Sequence, residues 1–276
     1  MIAIAQLRGG RSRKVVSPLL SQQLFLIFSA LAFVANAMLT VEWCGAMSAM
    51  PRMPMAGGWT MSMAWMRMPG QTWFSAGASF VGMWTVMMMA MMLPSLLPML
   101  RSFRQAVRGK GEIHVNELSA MVGVGYFFVW TLVGTAVFPL GVALAAVEMR
   151  HPALARAVPV TTGAIIVIAG ALQFTPWKTR HLAGCREARG CHRLDAHSGS
   201  ALRHGVNLGL KCSYCCVGLT AILVAGGIMN LPLMIIIAGA ITAERLAPNA
   251  QRVARSIGAV AMVAGVLLIA RAIAIS

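Results

Sequence analysis

The segment Cys212-Ser213-Tyr214-Cys215-Cys216 sets three thiols at positions i, i+3 and i+4. In a helix those positions line one side, so Cys212 can converge with Cys215 or Cys216 on one ion. The stretch before it, residues 174–205, adds His181, Cys185, Cys191, His192, His197 and His204. Thiolate sulfur with imidazole nitrogen selects soft or borderline ions, Cu(I) first and Zn(II) as the alternative. Two other readings compete. Cys212 and Cys215 have the spacing of a redox dithiol, and cysteine also serves membrane helices as a small apolar residue.

A second set of sulfurs is thioether. Met47, Met50, Met53, Met55, Met61, Met63, Met66 and Met68 crowd one stretch, with Cys44 beside them. Met53-x-Met55 and Met61-x-Met63 have the short spacing of copper-collecting segments, and neutral thioethers suit Cu(I) where thiols would oxidise. Met83, Met87 and Met91 follow at every fourth position, with Met88, Met89, Met92 and Met99 around them. The fourfold spacing puts Met87 and Met91 on one helix face. Methionine is also a flexible apolar filler, so this helical stripe reads as packing before it reads as ligand. The loop methionines, expected to face water, are less easily explained that way.

The elements that must hold these groups are membrane helices. Charged residues make up 11% of the chain and apolar ones 58%; soluble domains carry about 25% charge. Seven apolar runs stand out, at about 19–41, 79–100, 118–147, 158–174, 206–229, 233–243 and 256–275. Most reach the ~18–20 residues needed to cross ~30 Å of hydrocarbon. The expected fold is therefore all-α, a polytopic bundle of about seven transmembrane helices whose partner is the lipid bilayer. Ala35-Asn36-Ala37 resembles a signal-peptide cleavage site, but the first run exceeds a usual signal core and is expected to stay as a helix.

Charge gives the orientation. With residues 1–18 in the cytoplasm, the cytoplasmic segments hold 17 Lys and Arg and the external segments 4. That bias is the positive-inside pattern, so the N-terminus is expected in the cytoplasm and the C-terminus outside. The Met-rich loop 42–78 then lies outside and the Cys/His-rich loop 174–205 inside. The membrane pattern accounts for the net charge of +16. No basic face with interleaved aromatics calls for a nucleic acid. Cytoplasmic thiols stay reduced, which disfavours disulfides at the Cys-x-x-Cys-Cys group. Gln173, Lys178 and Glu244 are the remaining polar candidates, because burying such groups in lipid needs a reason. Glu244 is expected to pair with Lys178 or Arg245, or to join the metal site; Lys211 is expected to snorkel. Pro94 and Pro98 can kink the second helix.

These residues together carry a family resemblance. Trp84-Thr-Val-Met-Met-Met-Ala-Met-Met-Leu-Pro94, Gln173-Phe-Thr-Pro-Trp-Lys178 with Cys185-Arg186, Cys212-Ser-Tyr-Cys-Cys216, Gly227-Ile-Met-Asn230 and Glu244-Arg-Leu-Ala-Pro248 occur in that order. The set is similar to the bacterial domain-of-unknown-function 2182 (DUF2182) family, described as metal-binding integral membrane proteins, over about residues 79–270. The resemblance implies a metal-binding protein of the bacterial inner membrane. Two positions depart from the family pattern: His181 stands where Cys is usual, and Val217 where Trp is usual. Histidine keeps a ligand but hardens it.

The reading is a membrane protein handling Cu(I), by acquisition, by transfer to a membrane oxidase subunit or copper chaperone, or by transport. The alternatives are a membrane thiol oxidoreductase and a structural subunit of a membrane complex. No ATP-binding loop or phosphorylated-aspartate motif is present, and an enzymatic role is not expected.

Overall fold

The computed structural model describes residues 18–50, 53–55, 57–67, 70–107, 112–187 and 198–275. Eight helices account for nearly all of them: α1 Pro18–Ala49, α2 Trp73–Val107, α3 Glu112–Arg150, α4 Pro152–Leu172, α5 Pro176–Glu187, α6 Ser198–Gly226, α7 Leu231–Leu246 and α8 Ala250–Ile275. Six of these are long and apolar enough to cross a membrane. The seventh apolar helix, α7, has 16 residues, about 24 Å of rise against ~30 Å of hydrocarbon. Each helix runs past its apolar stretch into polar flanks, because the apolar pattern marks the hydrocarbon and not the end of backbone hydrogen bonding. The consequence matters most for α6. It starts at Ser198, so Cys212 sits at its middle and not near its start.

The bundle is apolar outside, and its largely apolar core encloses a few charged groups. Phe28, Leu31, Ile236, Val260 and Ile273 point outward, while Lys178, Glu244 and Arg245 are buried. Helices α2 and α6 form the interior, and α1 and α8 are mostly outward-facing. Small residues let the backbones close up. A Cβ on Gly205 would lie 2.2 Å from the Val122 carbonyl oxygen, and one on Gly125 would lie 2.4 Å from the Leu202 carbonyl oxygen. That proximity brings α3 against α6 and sets Tyr126 beside Cys212. On the opposite flank Gly163 with Gly265 and Gly170 with Gly258 bring α4 and α8 together. Trp84 is fully buried and its indole donates 2.9 Å to the Trp130 carbonyl. Pro94 and Pro98 both lie within α2, which continues through them.

Two stretches expected to be loops have structure. The described residues between Met53 and Arg67 fold onto one end of the bundle. Strands β1 Met53–Pro54 and β2 Thr60–Met61 pair antiparallel, with Met53 opposite Met61. The turn between them uses Gly57 and Gly58 at φ 102° and 74°, a left-handed geometry open to glycine. The Trp59 indole donates 2.8 Å to the Ala155 carbonyl. Trp65 packs on Phe80 with ring centroids 5.2 Å apart. These two tryptophans pin the segment. In 174–205, residues 176–187 form α5, which lies against α6 and α7.

Candidate metal centre

Four cysteines from α5 and α6 meet in the interior. Cys185, Cys212, Cys215 and Cys216 are each no more than 2% exposed. Helical spacing sets Cys212 and Cys216 one turn apart, with sulfurs 4.0 Å from each other. Cys216 also neighbours Cys215, and Cys215 neighbours Cys185 on α5. The sulfurs thus form a string, 185–215–216–212. Hydrogen bonding to Cys215, together with burial, holds the Cys185 thiol above its usual range. Its Sγ also lies 3.2 Å from the Lys211 carbonyl oxygen.

Charged and polar groups surround the string. The Tyr126 hydroxyl is 2.9 Å from Cys212 Sγ. Arg245 places one guanidinium nitrogen 3.7 Å from Cys185 Sγ and the other 3.1 Å from Ser95 Oγ. Lys178 and Glu244 form an ion pair of 2.6 Å, both side chains buried. Lys178 Nζ also donates 2.8 Å to the Cys215 carbonyl, and Gln173 donates 2.9 Å to the other Glu244 oxygen. The pair is neutral in sum, and its bond to Cys215 fixes the α6 backbone at the string. The Arg245 guanidinium faces sulfur at Cys185.

What this arrangement can bind follows from its shape. Among the described residues no three His, Cys, Asp or Glu side chains converge as a metal-holding group. The sulfurs are neighbours two at a time. Two sulfurs 4.0 Å apart can both bond one ion at about 2.3 Å with a sulfur–metal–sulfur angle near ~120°. A pairwise string suits an ion content with two or three soft ligands, as Cu(I) is, better than four-coordinate zinc. Charge points the same way. Two thiolates on Cu(I) carry a net −1 and two on Zn(II) carry none, and a guanidinium near sulfur suits the anionic centre.

The other expected ligands fall elsewhere. His181 packs its ring against Trp177 and Tyr214, with centroids 4.5 and 5.5 Å away, so Cys185, one turn on along α5, is the residue that joins the sulfurs. His204 stacks on Phe103 at 5.7 Å. Cys191, His192 and His197 lie outside the described residues, as does Met68. Glu244 pairs with Lys178 and accepts from Gln173. Lys211 is half-buried at mid-helix. Met87 and Met91 are buried in the packed core with Met88 and Met92. The loop methionines divide. Met53 is exposed and Met55 half-buried, but Met61, expected to face water, is 3% exposed; it and half-buried Met63 line a cavity. The fold draws Met61 inward because Trp59 and Trp65 fasten the chain on either side of it.

Three residues of this centre were not marked as ligand neighbours by spacing. Tyr126 is one of only 2 tyrosines in the chain and sits mid-helix in an apolar run. Arg245 follows Glu244 at an apolar helix end and was read there only as a possible partner of Glu244. Ser95 had no signal at all. The first two could have been flagged as polar groups that a membrane interior must account for.

A family model described as PpoB2, copper chaperone, matches residues 81–268. No curated protein matches, and no solved structure matches.

Proposed function

Since the chain belongs to the PpoB2 copper chaperone family, we propose that its buried thiol string takes up one Cu(I) at a time and hands it on. The observation that carries this is the placement of four free cysteines as pairwise neighbours, with the Arg245 guanidinium beside Cys185. Cu(I) is the cargo. Its arrival at Cys212 and Cys216 displaces two thiol protons and forms two Cu–S bonds, leaving a centre of net charge −1. Arg245 neutralises that charge, and the Tyr126 hydroxyl donates to Cys212 Sγ. Cys215 and Cys185 offer the next sulfurs, so the ion can move by exchanging one ligand at a time without being released bare. Met53, Met55, Met61 and Met63 would collect Cu(I) on the other side of the membrane, and Met87 and Met91 lie between. A membrane oxidase subunit or a second copper chaperone would be the recipient.

The family match covers copper and leaves zinc as the competing ion. Elemental analysis of protein purified in mild detergent without a metal-chelating tag decides between them. Copper at about one ion per chain or more is the expected result. Zinc in its place, or no metal after copper exposure, contradicts the proposal.

We also propose a bacterial inner-membrane location with the N-terminus in the cytoplasm, on the distribution of Lys and Arg. A reporter fused after residue 60 should be external, and one fused after residue 110 cytoplasmic. The reverse labelling would overturn the orientation.

A further inference from the structure

The end of the bundle that carries β1 and β2 contains a cavity of about 500 Å³ between α1, the β2 strand with its following turn, and the α6–α7 turn. Its sulfur lining comes from three separate parts of the chain: Cys44, Met47 and Met50, then Met61 and Met63, then Met229. Cys44 Sγ is also 3.9 Å from Met234 Sδ. Among the described residues, the walls include no Asp, Glu, Lys, Arg or His.

We propose that this cavity is a second Cu(I) site, built from thioethers and distinct from the thiol string. Its ligand set is neutral and soft, so a hard cation such as Mg²⁺ or Ca²⁺ finds no carboxylate there. A divalent ion would keep its full charge in a wall whose described residues carry none, which is costly. A monovalent soft cation fits both constraints. The lining is also built to stay in place. Met61 is held by the β1–β2 ladder, and Met229 sits in the turn formed by Gly227 at φ 104° and closed by the Asn230 cap on the Leu233 N–H. Simple packing would fill this space; an open volume edged by six sulfurs is not what a filler role produces.

The cavity lies at the opposite end of α2 from the thiols. Trp65 packs on Phe80 at the cavity end, and Ser95 contacts Arg245 at the thiol end. Fifteen residues of helix separate those marks, about 22 Å. Buried Met87, Met88, Met91 and Met92 occupy that interval. An ion passing along α2 would meet thioethers before thiols, which bind more tightly.

The inference rests on copper as cargo but not on the thiol string, and the test keeps the two apart. The full chain in mild detergent is titrated with Cu(I) under ascorbate against a chelator. Three proteins are compared: wild type, Cys212→Ser/Cys216→Ser, and that variant with Met61→Leu, Met63→Leu and Met229→Leu added. Leucine keeps size and apolarity. The cysteine variant should retain a weaker class of Cu(I) binding, and adding the leucines should weaken that class by at least about tenfold, the loss expected even from outer-shell changes. Met63→Leu/Met229→Leu, which leaves buried Met61 in place, serves the same comparison if the triple change prevents folding. Unchanged residual binding on adding the leucines would overturn the thioether site. Full retention of the tight class in the cysteine variant would instead count against the thiol string.

Discussion

Cys212→Ser/Cys216→Ser is expected to weaken the tight class of Cu(I) binding by more than about 100-fold while leaving the bundle folded. Outer-shell changes at metal sites already cost ~10–100-fold, and here both sulfurs of a 4.0 Å pair are removed. Serine is nearly the same size, and the Tyr126 hydroxyl can hydrogen-bond to it as it does to the Cys212 sulfur. Loss of metal without loss of fold is therefore the signature. A chelator competition on the purified variant, with its thermal midpoint measured alongside, reads both quantities. Undiminished affinity would mean that the string packs the core and binds nothing. Thiol oxidoreductase chemistry predicts a different pattern, in which the wild-type thiols cycle with an oxidant and copper affinity is low from the start.

Glu244→Ala should have the largest effect on stability. Lys178 and Glu244 are buried and 2.6 Å apart. Removing one partner of a buried pair strands the other charge, at a cost of about 3–5 kcal/mol. Nearby groups worsen the loss, because Gln173 loses its acceptor and the lysine anchored to the Cys215 carbonyl no longer has its counter-ion. Lys178→Met/Glu244→Leu removes both charges and should recover most of the folded yield, since apolar replacement of a whole pair is often neutral. The monodisperse fraction in detergent and the thermal midpoint measure both variants. If Glu244→Ala is as stable as wild type, the carboxylate does not meet Lys178 in the folded protein. If the double variant is no better than Glu244→Ala, the polar network around Cys215 matters more than its charge balance.

How much of this was readable before the structure depends on the kind of signal. Apolar runs located all seven apolar helices because each run buries or faces lipid continuously, and their ends were short because polar residues can continue a helix outside the hydrocarbon. The Cys-x-x-Cys-Cys spacing pointed to a shared face, and Cys212 and Cys216 do meet. That Cys185 joins them and His181 does not could not be read from spacing. It depends on how α5 lies against α6, and a 12-residue polar helix carries no apolar stripe to fix that rotation. The burial of Met61 was hidden for a related reason. Its neighbours Trp59 and Trp65 look like interface aromatics in sequence, yet they fasten to Ala155 and Phe80 far along the chain. Arg245 was legible as a charge near a helix end and not as the cation facing the thiols. The family motifs resolve in the same way. Trp84 and Gly227 are packing and turn residues, whereas Lys178, Cys185, Cys212, Cys215, Cys216, Glu244 and Arg245 converge on one place.

Copper-edge X-ray absorption on the wild-type protein, loaded with one Cu(I) per chain, tests that convergence most directly. The expected result is a first shell of sulfur alone, two or three atoms, on copper that stays in the +1 state, and in the Cys212→Ser/Cys216→Ser protein at the same loading a spectrum changed by loss of the thiolate sulfurs. Nitrogen or oxygen neighbours in the wild-type shell, or an unchanged spectrum in the variant, would contradict it.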